Sequence, residues 1–305
     1  MMPEPARSAL LDALGERVAF DAPMTRQTSL RIGGPADALA TPTNRRELAA
    51  VLAICQAHGL RHTVVGAGFN CLVSDEGVDG VVIHLKKFRG LEERPGPSIY
   101  AEAGVSHSAI TRFCLDHAFT GMEFAAGIPG TVGGWIMMNA GIGVRELKDV
   151  TLEIGVVTPG QPQEQRIPRE QLDFHYRELR GLPPGAVVVS ARFAVEASSR
   201  DAIKDEVDRL LAHRSTTQPL DVPSCGSVFR NPEGDFAGRL IEAAGLRGLR
   251  VGGAEISRVH ANFIANIGGA SASDVLALIE RARAGVREDC GVELKTEVHL
   301  LGRTP

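Results

Sequence analysis

The sequence lacks several features that would quickly assign it to a functional class. It has no block of about five or six like charges, and 33 Lys plus Arg against 37 Asp plus Glu give a formal net charge of −4. This balance argues against a nucleic-acid groove. The five cysteines are widely spaced and form no C-x-x-C pair, which argues against a structural metal and favours a reducing compartment. We therefore predict a cytoplasmic protein with no metal, no nucleic-acid partner and no evident obligate protein partner.

Membrane-directing segments are also missing. Residues 1–20 mix Glu4, Arg7 and Asp12 among apolar residues, so they lack the unbroken apolar region of a secretory signal and read as an amphipathic helix. Residues 124–144 carry no charge over 21 positions, but they contain six glycines, a proline and an asparagine. Such a segment cannot satisfy its own backbone in lipid, whereas inside a protein it can line a ligand. We predict no association with a membrane.

The common dinucleotide and nucleotide motifs are absent as well. Gly66-Ala67-Gly68 is followed by Cys71 at the position where the Rossmann pattern G-x-G-x-x-G requires glycine, and no G-x-x-x-x-G-K-[ST] occurs. Neither a Rossmann domain nor a P-loop is therefore predicted. No internal repeat or low-complexity tract is found.

What is present indicates an α+β protein of more than one domain. A chain of 305 residues exceeds the size at which a single core usually stops growing. Residues 44–58 predict a helix, with Asn44 as its N-cap, Glu47 three positions on and Gly59 at its end. Other predicted helices are 108–117, 201–214, 236–244 and 273–290, and predicted strands are 63–65, 81–85, 98–103, 151–157, 186–195 and 292–301. We predict three domains, over residues 1–86, 87–198 and 199–305.

Glycine density is the strongest local signal. Six glycines fall between Gly127 and Gly143, and each would cost about 0.5–1 kcal/mol in regular structure. Glycine-rich loops let successive N–H groups converge on an anion, which is how backbone holds phosphate without a basic side chain. Tight turns without a ligand are the alternative interpretation. Two such loops, 66–70 and 127–134, would suit one elongated cofactor such as FAD.

A second polar loop spans residues 218–232 and places a hydroxyl, a guanidinium and an amide between prolines and glycines. Functional loops have this composition, and so do capped turns. Taken alone, Ser227 reads as a turn residue, Tyr176-Arg177 as surface and Glu297 as a solvated strand residue.

In combination, these segments resemble the UDP-N-acetylenolpyruvoylglucosamine reductase family, also called UDP-N-acetylmuramate dehydrogenases, of bacterial cell-wall synthesis. The resemblance runs from about Thr28 to Gly302. It is carried in order by Thr28-Ser-Leu-Arg-Ile-Gly-Gly-Pro-Ala-Asp37, Gly127–Gly134, Met138-Asn-Ala-Gly141, Phe174-His-Tyr-Arg177, Pro223–Pro232, Ala237-Gly-Arg-Leu-Ile-Glu242, His260-Ala-Asn-Phe-Ile264 and Glu297-Val298.

The resemblance implies non-covalent FAD in a two-part domain of the vanillyl-alcohol-oxidase type, followed by a C-terminal α/β substrate-binding domain whose last strand, 292–301, returns Glu297 to the active site. It further implies that NADPH supplies hydride and that UDP-N-acetylglucosamine enolpyruvate is reduced to UDP-N-acetylmuramate. By the same resemblance, Ser227 is the proton donor, and Arg177 and Glu297 stabilise the anionic intermediate. The implied flavin-binding residues are Gly66, Ala67, Gly68, Phe69, Asn70, Gly127, Ile128, Pro129, Gly130, Thr131, Gly133, Gly134, Asn139 and Gly141. The implied substrate contacts are Tyr176, Arg230, Asn231, His260 and Asn262.

The chain departs from the family pattern at several positions. Phe69 replaces the usual serine of the first flavin loop, Ile142-Gly143 follows Asn139-Ala-Gly where Ala-Tyr-Gly is usual, and Arg230 replaces lysine. Arg and Lys both carry charge but differ in hydrogen-bonding geometry. Three alternatives stay open: a catalytically inactive relative that binds FAD or a UDP-sugar, an oxygen-using oxidase of the same superfamily, and a plain two-domain scaffold, which would be colourless when purified.

Overall fold

The computed structural model describes residues 2–303. Its α-helices are α1 Glu4–Leu14, α2 Arg45–Ala57, α3 His107–His117, α4 Val132–Met137, α5 Arg200–Thr217, α6 Ala237–Ala243 and α7 Ala272–Cys290. Its strands β1 to β21 are Val18–Pro23, Pro35–Ala40, His62–Val65, Cys71–Val73, Val78–His84, Leu91–Arg94, Ser98–Glu102, Phe119–Thr120, Gly141–Ile142, Arg145–Glu146, Thr151–Thr158, Gln161–Pro168, Asp173–His175, Glu178–Arg180, Val187–Ala194, Glu196–Ala197, Ser224–Ser227, Arg250–Val251, Ala254–Ile256, Phe263–Asn266 and His299–Leu301.

The predicted helices are confirmed to within a few residues, and their caps explain where they begin and end. The Asn44 side chain accepts from the Glu47 N–H at 3.0 Å and starts α2. A capping box between Ser271 and Asp274 starts α7, and Gly291 in a left-handed conformation ends it. The N-terminal helix is shorter than predicted because Gly15 ends the helical hydrogen bonding and the chain enters β1 at Val18.

Two compact units divide the chain. The first unit comprises the residues up to Phe20, Asp37–Ala67 and Gly80–His213, and the second comprises Asp21–Ala36, Gly68–Asp79 and the chain from Arg214 onwards. The predicted α+β class is confirmed, because helices and mostly antiparallel strands make up both units. The three-part division at residues 86 and 198 stays a prediction.

In the first unit, β3 pairs parallel with β5 in a sheet of order β1-β2-β5-β3, on which α1 and α2 pack. A second sheet has the order β12-β11-β15-β7-β6 and is antiparallel throughout. Its core contains the fully buried Ile99, Ile136 and Phe193. The short hairpins β9–β10 and β13–β14 belong to the same unit.

The second unit has its own core and its own sheet, of order β17-β20-β19-β18. The buried residues Val228, Ile256 and Leu278 belong to this core, so α7 packs on the sheet. Strands β4 and β21 add a short parallel pair.

The last strand is shorter than the predicted span 292–301. Only His299–Leu301 is a strand, and Thr296 forms an isolated bridge with Phe229. Residues 295–298 meet the 228–230 segment through isolated hydrogen bonds, and the chain changes its pairing partner to Cys71 at His299. The alternation of polar and apolar residues over 292–301 therefore does not correspond to one continuous ladder of strand hydrogen bonds. In the described residues 2–303, no helix is both long and apolar enough to cross a membrane.

Candidate active site

The start of the first glycine-rich loop, at Gly66, lies close to the second loop within the first unit. Strand β3 ends at Val65, and a Cβ placed on the next residue, Gly66, would lie 2.7 Å from the Oγ1 of Thr131. Thr131 is the N-cap of α4. The residue before it, Gly130, has a φ of +129°, a conformation that favours glycine. Gly66 and Thr131 thus lie close together, and the pairing of the two loops around one ligand stays a prediction.

Some backbone N–H groups of the second loop already form hydrogen bonds within the protein. The Val132 N–H donates to the Val105 carbonyl at 3.0 Å, and the Gly133 N–H donates to the Ala103 carbonyl at 2.9 Å. Gly133 also packs closely, since a Cβ there would lie 3.0 Å from the Ala103 Cβ. Two of the amides that the sequence offers to a phosphate are therefore occupied, and a cofactor held by this loop would use other groups.

Buried polar atoms without a protein partner lie beside both loops. His84 Nδ1 and Trp135 Nε1 are buried and have no hydrogen-bond partner. His84 ends β5 opposite Val65, beside the first loop, and it also hydrogen-bonds to the Gly66 backbone. The Trp135 Nε1 lies 3.5 Å from where a Gly130 Cβ would be. Buried polar groups are rarely left unpaired, so each such atom needs an explanation.

FAD fits this pair of orphaned atoms. Burial, and then the charge of Lys86, lower the pKa of His84 below its ordinary value, so the ring is neutral near pH 7. A neutral ring that donates to Gly66 presents Nδ1 as an acceptor, whereas the indole Nε1 of Trp135 can only donate. A dinucleotide supplies both hydroxyl donors and phosphate or carbonyl acceptors. In the described part of the chain, no group of three or more His, Cys, Asp or Glu residues is arranged to hold a metal ion.

Position 68, in the first predicted flavin loop, requires glycine because another backbone segment of the second unit passes close to it. Its φ is +70°, and a Cβ there would lie 2.2 Å from the Gln27 carbonyl oxygen. The Gly68 carbonyl accepts from the Ser29 N–H at 3.0 Å and from its Oγ at 2.9 Å. The close approach therefore leaves no room for a side chain at this position.

This close approach gives a stability prediction. We expect Gly68→Ala to destabilise the protein by about 1–3 kcal/mol more than Gly291→Ala, because a Cβ forced against backbone costs about that much. Gly291 is the matched control, since its φ is +71° but a Cβ there would meet nothing within 4 Å. Urea unfolding midpoints measure both changes. Equal losses in the two variants would mean that only the left-handed conformation matters.

Arg177 lies at the tip of a tight hairpin in the first unit. His175 of β13 pairs with Glu178 of β14, so Tyr176 and Arg177 form a two-residue connection, and Arg177 has a φ of +58°. Its Nη2 donates to the Gly141 carbonyl at 3.1 Å. Its guanidinium lies 4.8 Å from the centre of the exposed Tyr176 ring. A predicted catalytic residue thus occupies a strained conformation, which is typical of functional sites.

Asn139, predicted to bind cofactor, holds this hairpin. The side chain is fully buried, and its Nδ2 donates to Glu146 Oε2 and to the His175 carbonyl, both at 3.0 Å. Its Oδ1 accepts from the Lys148 N–H at 3.0 Å. The contact with cofactor stays a prediction, and the protein already uses both ends of the amide. Sequence reasoning missed Glu146, although it is the first acidic residue after the uncharged stretch 124–144.

Ser227 ends β17 in the second unit, where Asn262 fixes the residues that follow it. The Val228 N–H donates to the Asn262 carbonyl at 2.8 Å. The Asn262 side chain accepts from the Phe229 N–H at 2.9 Å and donates to the Phe229 carbonyl at 2.8 Å. Asn262 is 3% exposed. Asn262 is predicted to contact the substrate. Its side chain pairs with the Phe229 N–H and carbonyl, as the backbone of a neighbouring strand would, and so holds the chain two residues after Ser227.

Glu297 lies in a segment that adjoins Ser227. Its N–H donates to the Val228 carbonyl at 2.8 Å, and its own carbonyl accepts from Asn70 Nδ2 at 3.3 Å. The structure therefore brings two of the three predicted catalytic residues, Ser227 and Glu297, to neighbouring backbone positions in the second unit, with the predicted flavin-loop residue Asn70 beside them. Arg177, the third, belongs to the first unit.

The remaining predicted substrate residues flank the same segment. The Arg230 N–H donates to the Lys295 carbonyl at 2.9 Å, and its buried Nε has no partner. The Oδ1 of Asn231 accepts from the Ala237 N–H at 3.1 Å, at the start of α6. His260 Nδ1 accepts from the Asn262 N–H at 3.2 Å, and burial lowers the pKa of His260. The neutral His260 ring therefore carries its proton on Nε2.

Comparisons with known proteins identify relatives of this chain. Residues 36–161 match the FAD binding domain family, and residues 218–301 match the family described as UDP-N-acetylenolpyruvoylglucosamine reductase, C-terminal domain. A UDP-N-acetylenolpyruvoylglucosamine reductase from Geotalea uraniireducens is 40% identical over 301 residues, which is 99% of each chain. One from Anaeromyxobacter dehalogenans is 44% identical over 289 residues, covering 93% of this chain and 86% of that protein.

Solved structures give the same relationship. The crystal structure of UDP-N-acetylenolpyruvylglucosamine reductase from Thermus caldophilus matches with a TM-score of 0.79 and 34% identity, covering 93% of this chain and 98% of that one. Phl p 4.0202, a glucose dehydrogenase, matches with a TM-score of 0.50 at 12% identity over 65% of this chain, which concerns the fold alone. The chain, with its FAD binding domain and its matching C-terminal domain, belongs to the UDP-N-acetylenolpyruvoylglucosamine reductase family.

Proposed function

We propose that this protein reduces UDP-N-acetylglucosamine enolpyruvate to UDP-N-acetylmuramate in bacterial peptidoglycan precursor synthesis, with FAD as cofactor and NADPH as co-substrate. The observation that carries the proposal is the hydrogen bond from the Glu297 N–H to the Val228 carbonyl, which brings the backbone of Glu297 next to the residue that follows Ser227. The 40% identity over nearly the whole chain to a reductase of that name supports the substrate. We propose the cytoplasm as its location.

Reduction of an enolpyruvyl double bond adds hydride at the methylene carbon and a proton at the carbon next to the carboxylate. Between the two events, negative charge builds on that carboxylate. When bound, FAD supplies a hydride carrier, which no side chain provides. The Arg177 guanidinium is planar and matches a carboxylate in a bidentate pair. A cation fixed before the charge develops stabilises the enolate-like intermediate more than a mobile one.

Ser227 supplies the proton in this proposal. A serine hydroxyl is a very weak acid, so it protonates only a species far more basic than an ordinary carboxylate. The enolate-like intermediate meets that condition. Asn262 supports the role because it fixes the backbone of Phe229, two residues after Ser227, at both its N–H and its carbonyl. Glu297, whose backbone N–H donates to the residue after Ser227, is proposed to help stabilise the anionic intermediate.

Other residues are proposed to bind the two ligands. The unpartnered Nε of Arg230 suits an anionic group of the UDP-sugar, and His260 offers the proton on Nε2. Tyr176 and Asn231 are proposed as further substrate contacts. The glycine loops, with the orphaned His84 and Trp135 atoms beside them, are proposed to hold FAD. The division at residues 86 and 198 is proposed as two FAD-binding subdomains and a substrate-binding domain.

The test is NADPH oxidation by the purified protein with and without UDP-N-acetylglucosamine enolpyruvate. We expect a rate that depends on this substrate. The single tryptophan, Trp135, gives the loading control, because it lies beside Gly130 and its emission should fall when FAD is added to apoprotein. Normal FAD loading without a substrate-dependent rate would favour the inactive, ligand-binding relative. Rapid oxygen consumption without the substrate would favour an oxidase.

A further inference from the structure

We infer that Glu146 is a positioning residue that fixes the direction of the Arg177 guanidinium. The inference rests on the proposed function, in which Arg177 stabilises the developing carboxylate charge. Glu146 itself need not touch the substrate for this role. It acts through the geometry of a cluster defined as Asn139, Gly141, Glu146, Lys148 and Arg177, all within the first unit.

An arginine at a hairpin tip needs external support. Its side chain is long and carries about 2 kcal/mol of rotamer entropy, and a fork binds a carboxylate well only when its direction is set beforehand. Two groups in the cluster provide that support. Nη2 donates to the Gly141 carbonyl at 3.1 Å, and Nη1 lies 3.7 Å from Glu146 Oε1. The side chains of Arg177 and Glu146 are 19% and 13% exposed, so solvent weakens their attraction less than at an open surface.

Glu146 is held in place from several sides. Its Oε2 accepts from Asn139 Nδ2 at 3.0 Å and lies 2.6 Å from Lys148 Nζ. Its N–H donates to Asp149 Oδ2 at 2.8 Å, within a capping box. Asn139 also donates to the His175 carbonyl, two residues before Arg177, so it ties Glu146 to the hairpin that carries Arg177. The carboxylate is therefore a rigid reference for the guanidinium.

Gly141 makes the arrangement possible. It pairs with Glu146 across the β9–β10 hairpin, and a Cβ at Gly141 would lie 2.9 Å from the Glu146 Cγ and 2.3 Å from the Arg145 carbonyl. Without a side chain, the hairpin closes tightly enough to place the Gly141 carbonyl and the Glu146 carboxylate together against Arg177. Gly141 is predicted to bind flavin, and the tight closure of this hairpin is a second reason for glycine at this position.

The charge of the cluster is compatible with the role. The Glu146 carboxylate lies between two cations and is closer to Lys148, at 2.6 Å, than to Arg177, at 3.7 Å, so Lys148 offsets much of its negative charge. Glu146 can therefore orient Arg177 without cancelling its attraction for an anionic substrate. A lone acid–arginine pair would have neutralised the guanidinium it orients.

The test compares half-reactions in the FAD-loaded enzyme. Glu146→Gln removes the charge but keeps the size and an oxygen for Asn139. We expect reoxidation of reduced enzyme by UDP-N-acetylglucosamine enolpyruvate to slow about 10- to 100-fold, as for a displaced catalytic group, with reduction by NADPH unchanged. Asp149→Asn is the matched control, because it removes a neighbouring carboxylate charge but keeps an oxygen that can accept from the Glu146 N–H. If Glu146→Gln fails to accumulate, Glu146→Asp is measured in its place.

A double-mutant cycle separates positioning from general loosening of the fold. If Glu146 acts through Arg177, Glu146→Gln adds no further loss in an Arg177→Ala background. Additive losses, or an equal loss in Asp149→Asn, would overturn the inference while leaving the proposed function intact. An Arg177→Ala enzyme with undiminished reoxidation by substrate would overturn both the inference and the role proposed for Arg177.

Discussion

Ser227→Ala is expected to abolish reduction of the enolpyruvyl substrate while NADPH still reduces the bound FAD at the normal rate. A positioned general acid typically contributes about 10²- to 10⁴-fold to a rate, so the loss should fall in that range. Proton donation concerns only the second half-reaction. Stopped-flow measurement of each half-reaction under anaerobic conditions resolves the two.

The structure indicates that this substitution is mild for the fold. Ser227 lies opposite Phe263 in the β17–β20 pair, in which the strands are joined by backbone contacts. The Asn262 side chain holds Phe229 through its main-chain N–H and carbonyl. Alanine keeps all of these contacts. Ser224→Ala is the matched control, since it makes the same change at the other end of the same strand. It should leave both half-reactions near normal.

Two results would contradict the assignment of Ser227. Loss of both half-reactions in Ser227→Ala would indicate that the residue supports cofactor binding or NADPH access instead. A fully active variant would indicate that another group delivers the proton. In either case the Ser224→Ala control shows whether the strand itself tolerates the change.

The sequence predicted elements whose signals are local. Asn44 and Glu47 define the start of α2 within four residues of chain, and Gly291 ends α7 by its own left-handed conformation. The strand 292–301 was predicted too long, because alternation reports which residues face a core and not which partner each residue meets. Its hydrogen bonds go first to residues 228–230 and then, at His299, to the Asn70 carbonyl, far earlier in the chain.

The sequence pattern could not predict which residues form hydrogen bonds with the side chains of the site. Asn262 bonds to Phe229, 33 residues away, and Asn139 bonds to His175, 36 residues away. Their motifs marked both asparagines as ligand contacts, whereas folding uses both for buried hydrogen bonds that hold Ser227 and Arg177 in place. Glu146 had no motif of its own and reads as an ordinary surface acid. Only the tertiary structure shows that it faces a guanidinium.

Arg177→Gly and Arg177→Ala are expected to slow reduction of the substrate equally and to differ in stability. Removing a fixed charge-stabilising group costs about 10²- to 10³-fold in rate, and both variants lose the same guanidinium. Reoxidation of the reduced enzyme by substrate measures this loss. Arg177→Lys keeps a charge without the planar fork and should recover only part of the rate.

The stability difference follows from the backbone of Arg177. With a φ of +58°, any residue with a Cβ is disfavoured by roughly 1–2 kcal/mol, while glycine gives back about 0.5–1 kcal/mol through its freer unfolded chain. We therefore expect Arg177→Gly to be more stable than Arg177→Ala by roughly 0.5–1 kcal/mol, from urea unfolding midpoints. The lost contacts to Gly141 and Glu146 are common to both variants and cancel in the comparison. A more stable alanine variant would contradict the strain. A more stable glycine variant without the reaction would show that the chain tolerates a strained residue here for its guanidinium, and that the hairpin alone would fold better without it.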